Sequence, residues 1–187
     1  PELLELVKAS VFLFAAGQDT SAKLIGNALR FLCEDMVLQE RLRADPSLIP
    51  QFVEEMLRIE GSTKTTFRLA SRTRKVGDVT IPAGTRVVVS LAAANRDPRR
   101  WDAPTELKLG RPKAMEHLAF GRGAHVCAGA PLARVEVRVM LEELLKQTKA
   151  IRLSEAHHGP TEARSFAYQP SYIIRGLNDL HIELDAR

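Results

Sequence analysis

The chain has 187 residues, 45% hydrophobic and 27% charged, with a formal net charge of +4. That supplies the core of one domain of ordinary size and argues against disorder. Aromatic residues make up only 5% and the basic ones are scattered, which argues against a nucleic-acid binder. The two cysteines, Cys33 and Cys127, form neither a C-x-x-C zinc pair nor a disulfide framework, so a reducing, cytoplasmic setting is expected.

Residues 2–34 read as one long helix, apolar on most faces and therefore expected to be buried. The longest apolar stretch, 11–16, is too short to span a bilayer, so no membrane is expected as a partner. The first residues lack the basic region and cleavage site of a signal peptide. The middle of the helix, Ala16-Gly17-Gln18-Asp19-Thr20-Ser21, breaks the apolar pattern. Glycine costs about 1 kcal/mol there relative to alanine. Threonine can bond back to the carbonyl four residues earlier. One expectation is a local bulge that turns Asp19 and Thr20 toward a cavity. The alternative places both on a solvated polar stripe.

A second helix is expected over 38–44, stopping before Asp45-Pro46. Ser47 reads as the N-cap of a third, 48–59, which Gly61 ends. On that helix Glu55 and Arg58 share a face and suit a bidentate, charge-assisted pair. The alternative is a surface ion pair of little worth. Short β-rich runs follow at 67–70, 75–76, 79–81 and 86–89, with a turn at Ile81-Pro82-Ala83-Gly84. Residues 95–115 carry Pro98, Pro104 and Pro112 and read as a long irregular connection, a feature that is usually functional. A helix over 130–148 and strands near 151–153, 172–175 and 181–184 complete a mainly α chain with small β-sheets, an α+β class.

The irregular connection leads into Phe120-Gly121-Arg122-Gly123-Ala124-His125-Val126-Cys127-Ala128-Gly129. Glycines at this density permit positive φ and close approach to a flat ligand. They also allow backbone N–H groups to face a sulfur, which tunes a metal-bound thiolate. Phe120 would cover one side. The alternative is a glycine-rich turn with an ordinary buried cysteine.

Together, and in this order, these features resemble the cytochrome P-450 haem-thiolate monooxygenases of the soluble bacterial type. The cysteine loop fits the family pattern F-G-x-G-x-[HR]-x-C-x-G in full. Asn95-Arg96-Asp97-Pro98, His117-Leu118-Ala119-Phe120-Gly121 and Ala130-Pro131-Leu132-Ala133-Arg134 add to the likeness. The resemblance implies haem b, with Cys127 as its metal ligand and Phe120, Gly121 and Gly129 around it. His125 and Arg68 would meet the propionates. Glu55 and Arg58 would be a structural pair beneath the haem. Asp19 and Thr20 would be the acid–alcohol pair that helps deliver protons to dioxygen. Phe12, Ala16, Gly17 and Thr65 would border the substrate pocket.

The implied activity is insertion of one oxygen atom of O2 into an apolar small molecule. Electrons would come from NAD(P)H through a ferredoxin reductase and a ferredoxin-type acidic partner, docked near Arg122, Arg134 and Arg138. A haem-thiolate sensor or carrier, or a fragment inactive by itself, is the alternative. The chain departs from the family in three segments. Pro104-Thr105-Glu106-Leu107 lacks the arginine that often joins the glutamate–arginine pair, and Arg111 is the nearest substitute. Ser21 replaces a frequent second threonine. Lys64, in a polar stretch at 60–66, could face a polar substrate group or solvent. The fold implied also needs an N-terminal half, so residues 1–187 are expected to be the C-terminal haem-binding part of one domain. Without that half the apolar faces of the first helix would be exposed.

Overall fold

The computed structural model describes residues 2–187. Helix α1 (Leu3–Glu34) runs unbroken for 32 residues. Its buried residues, Leu24, Asn27, Ala28, Leu32 and Cys33, all lie in its C-terminal half. Residues 2–19 are exposed instead of buried as an all-round apolar helix would be. The elements that pack on α1 meet only its later turns. The expected bulge does not form either. The Thr20 hydroxyl donates to the Ala16 carbonyl at 2.9 Å and sits alongside the helical ladder without breaking it.

Two aspartates punctuate the next turns. Asp35 ends α1 and caps α2 (Met36–Ala44) by accepting the Leu38 N–H at 2.9 Å. Helix α2 therefore starts two residues before the expected position. Asp45 accepts both the N–H and the hydroxyl of Ser47, at 3.0 and 2.6 Å. Ser47 is thus the capped residue and not the cap. Pro46–Leu48 form a 3-10 turn before α3 (Ile49–Glu60). Helix α3 is buried from Phe52 to Glu60 and forms the centre of the molecule. Its apolar side packs with Leu24, Leu32, Leu141 and Ile151 into one core.

The strands form three two-stranded antiparallel sheets. Strand β1 (Thr65–Leu69) pairs with β4 (Arg86–Ser90), with Phe67 opposite Val88. Strand β2 (Arg74–Val76) pairs with β3 (Val79–Ile81) across a tight turn where Gly77 has φ 57°. A short helix α4 (Leu91–Ala94) leads into the irregular connection, which is regular only at the 3-10 turn Ala114–Glu116. Helix α5 (Ala130–Gln147) follows the cysteine loop and passes directly into β5 (Thr148–Leu153). After α6 (Glu155–His158), the chain returns to pair β6 (Ile182–Ala186) with β5. The strand expected at 172–175 is a single bridge, Thr63 to Ile174. The Lys64 N–H donates to the Ile173 carbonyl at 2.7 Å and the Arg175 N–H to the Ser62 carbonyl at 2.6 Å, extending that contact.

Candidate functional site

The base of the site is a buried charge cluster on α3. Arg58 donates to both oxygens of Glu55, at 2.7 and 3.0 Å. Its other N–H groups reach the carbonyls of Asn95, Pro104 and Glu106, at 3.0, 2.6 and 2.9 Å. Arg111 donates to the same carboxylate at 2.9 and 3.0 Å and is itself buried. The Lys108 N–H adds a further bond at 2.9 Å. Burial raises the Glu55 pKa, but the bonds from Arg58, Lys108 and Arg111 outweigh it and hold the carboxyl low. This pair is therefore internal rather than a surface ion pair, and Arg111 takes the place of the arginine missing from 104–107. One carboxylate and two planar forks secure an irregular connection that has no ladder of its own.

A second cluster, unforeseen in the sequence, lies one residue earlier. Glu54 accepts from His117 Nε2 at 3.1 Å and from Arg134 at 2.5 and 3.1 Å. His117 Nδ1 accepts the Ala119 N–H at 3.1 Å, which leaves the ring proton on Nε2, facing Glu54. Burial pushes the Glu54 carboxyl up, yet the His117 and Arg134 bonds bring it down to about 2. Arg134 also lies over the Phe120 ring, 4.7 Å from its centroid. No spacing rule pointed to this cluster, because its partners are 63 and 80 residues from Glu54.

Between these anchors hangs the cysteine loop. Gly121 and Gly123 have φ of 70° and 85°, values that glycine adopts without strain. The Cys127 N–H donates to the Phe120 carbonyl at 2.9 Å, and the Cys127 carbonyl accepts the Ala130 N–H at 3.3 Å. A Cβ on Gly129 would sit 3.8 Å from Cys127 Sγ. Cys127 is exposed, so it is not the ordinary buried cysteine of the alternative reading. Cys33 is that kind of cysteine: burial pushes its thiol up to about 12, which leaves it inert.

The other expected site residues occupy two further segments. On α1, Phe12, Ala16 and Gly17 are exposed, and beyond the neighbouring backbone of its own helix nothing lies within 4 Å of a Cβ built on Gly17. Asp19 pairs with Lys23, one turn on. Lys23 in turn crosses Gly176, where any side chain would collide with it. Ser21 donates to Glu136 of α5 at 3.0 Å, which ties the Thr20 turn to the helix that follows the cysteine loop. On β1, the Thr65 hydroxyl donates to the Tyr172 carbonyl at 2.8 Å. Lys64 is committed in the same way, its ammonium bonding the Ser171 carbonyl at 2.7 Å. It is therefore a fastener between two segments, and not a free group facing substrate or solvent. Arg68 and His125 are exposed. Among the basic residues near the loop, Arg134 turns inward to Glu54, while Arg122 is exposed and Arg138 only approaches Glu142 at 3.8 Å.

The family profile described as Cytochrome P450 matches residues 2–171. The chain belongs to the cytochrome P450 family. It is 34% identical over 172 residues to Cytochrome P450 144 of Mycobacterium tuberculosis, covering 92% of this chain and 38% of that one. The solved structure of Mycobacterium marinum cytochrome P450 CYP150A6, in its substrate-free form, covers all of this chain at 49% identity and TM-score 0.95. CYP109E1 from Bacillus megaterium, in complex with corticosterone, is 32% identical with TM-score 0.88 over 96% of this chain. The chain spans 46% of each of those two structures, so it corresponds to less than half of such a P450.

The residues present fit the haem that the family implies. An exposed thiol offers a soft ligand to iron. The left-handed glycines and the bare Gly129 leave room for a flat ring at the sulfur. Arg68 and His125 are exposed donors suited to carboxylates. Among the described residues, no helix is long and apolar enough to cross a membrane.

Proposed function

We propose that residues 1–187 are the C-terminal, haem-binding part of a single-domain monooxygenase that inserts one oxygen atom of O2 into an apolar small molecule. The observation that carries this reading is the exposed Cys127 thiol, held on a glycine loop between buried charge clusters. Haem b, when bound there, supplies activation of dioxygen, and a thiolate ligand favours O–O cleavage. Cys127 holds the iron, with Phe120, Gly121 and Gly129 shaping the loop around it. Arg68 and His125 bind the propionates. Glu55, Arg58 and Arg111 hold the 95–115 connection in place beneath the site.

Asp19 and Thr20, on α1, would supply protons to the chemistry there. For that, Asp19 exchanges its Lys23 partner for water, a small rearrangement for a carboxylate whose side chain is 54% exposed. Phe12, Ala16, Gly17 and Thr65 border the substrate. Corticosterone in the CYP109E1 relative supports an apolar small molecule as the substrate class. The N-terminal half of the same protein covers the exposed face of α1. Electrons come from NAD(P)H through a ferredoxin-type partner, for which Arg122 and Arg138 remain available. The setting is cytoplasmic.

The test is Thr20→Ala in the full-length protein with its electron donors. NAD(P)H consumption is expected to continue while product per NAD(P)H falls several-fold. Unchanged coupling would remove Thr20 from the proton path, and an absence of any oxygenated product in the parent would overturn the reading.

A further inference from the structure

Glu54 lies outside the glutamate–arginine pair and outside the loop, yet it touches both limbs of that loop. His117 precedes the cysteine by ten residues and Arg134 follows it by seven, and both converge on one buried carboxylate. Each partner then touches Phe120. The His117 ring is 5.9 Å from the Phe120 ring and Arg134 is 4.7 Å from it on a cation–π contact. Phe120 in turn accepts the Cys127 N–H on its carbonyl at 2.9 Å. A continuous path therefore runs from Glu54 through Phe120 to the backbone of the cysteine. The His117 ring is held on both nitrogens, Nδ1 by the Ala119 N–H and Nε2 by Glu54. Among the described residues, Glu54 is the one carboxylate paired with the Arg134 guanidinium, which lies only 27% exposed.

We propose that Glu54 is a positioning residue for the Cys127 ligand: it clamps both limbs of the loop to α3 and neutralises Arg134 beside Phe120. This inference rests on the haem-thiolate reading above. Its electrostatic half makes it testable apart from simple loss of stability. Glu54→Gln keeps the size and one acceptor but leaves Arg134 uncompensated at a partly buried position. An added positive charge near the ligand favours the ferrous form.

The experiment is a redox titration of full-length, haem-loaded protein for the parent, Glu54→Gln, and the double variant Glu54→Gln/Arg134→Gln. Glu54→Gln is expected to shift the ferrous–ferric equilibrium toward ferrous by about tenfold, the order expected for one uncompensated charge at a partly desolvated site. The double variant is expected to return most of the way to the parent, because both charges are then gone. Glu54→Asp, which keeps the charge with a shorter reach, is expected to stay closer to the parent than Glu54→Gln does. An unchanged potential in Glu54→Gln with a normal thiolate spectrum would overturn the inference and leave the haem-thiolate reading intact. A shift that the double variant does not reverse would also overturn it, showing only a loosened loop. A parent without a thiolate-ligated haem spectrum would remove both.

Discussion

Glu55 is 1% exposed and bonded by two guanidinium groups and a backbone N–H. Removing one partner from such a cluster leaves a buried charge unmatched, which typically costs about 3–5 kcal/mol. Glu55→Gln is therefore expected to lower the free energy of unfolding by an amount in that range, read as a lower urea midpoint, and to loosen residues 95–115 first, measured by hydrogen exchange. Arg111→Lys is expected to cost about 1–3 kcal/mol, because one ammonium cannot serve Glu55 and the carbonyls of Ala103 and Glu106 together.

The same carboxylates set an acid limit. Glu54 is held at about 2 in the fold, below its unfolded value, and Glu55 is also held low. Groups with depressed folded pKa values stabilise above the unfolded pKa and lose that contribution as pH falls. Stability is expected to decline from about pH 4.3, the ordinary glutamate value, toward about pH 2. The Glu54 share is about 1–2 kcal/mol once solvent screening at its partly exposed arginine partner is allowed for. In Glu54→Gln the decline should be shallower, read by acid titration of the circular dichroism signal. The Glu55–Arg58 pair was legible because helical spacing brings residues three apart together. Glu54 was not, because neither of its partners has a local spacing to read.

At the scale of elements, periodicity located α1, α3 and α5, and side-chain caps set the ends it misplaced. Asp35 and Asp45 each accept backbone N–H groups that the sequence alone could have assigned to more than one start. Strand β5 was expected only from residue 151, because Thr148 reads as the end of a helix. Thr148 does bond back to the Leu144 carbonyl at 2.7 Å while its backbone already pairs with Ala186. The junction between α3 and the cysteine loop depends on Gly61. A Cβ there would lie 2.5 Å from the Leu57 carbonyl oxygen and 3.3 Å from the Ala119 Cβ. Neither a backbone carbonyl nor a methyl group can swing aside. Gly61→Ala is expected to destabilise by about 1–3 kcal/mol, the usual range for overpacking, as a lower thermal midpoint.

For the whole molecule, the decisive feature is the bare half of α1. Phe12, Leu13 and Phe14 are 70%, 69% and 68% exposed, and Leu3, Leu4 and Val11 extend the patch. Exposed apolar side chains in this number mark a partner surface or an aggregation site. Residues 1–187 by themselves are expected to self-associate in light scattering, and Phe12→Ser with Phe14→Ser to reduce that association. A monomer with the parent sequence would count against a missing cover. The sequence indicated this outcome through the resemblance, since periodicity alone predicted a helix buried all round. It could not show that Lys64 and Thr65 bind the carbonyls of Ser171 and Tyr172, because those contacts cross more than a hundred residues.

The central claim is that Cys127 holds haem iron as a thiolate. Its most direct test is the absorption spectrum of the reduced, carbon monoxide-bound full-length protein beside Cys127→Ser. The parent is expected to show a strongly red-shifted Soret band that Cys127→Ser lacks. A parent that loads haem without that band, or a Cys127→Ser variant that keeps it, would contradict the account.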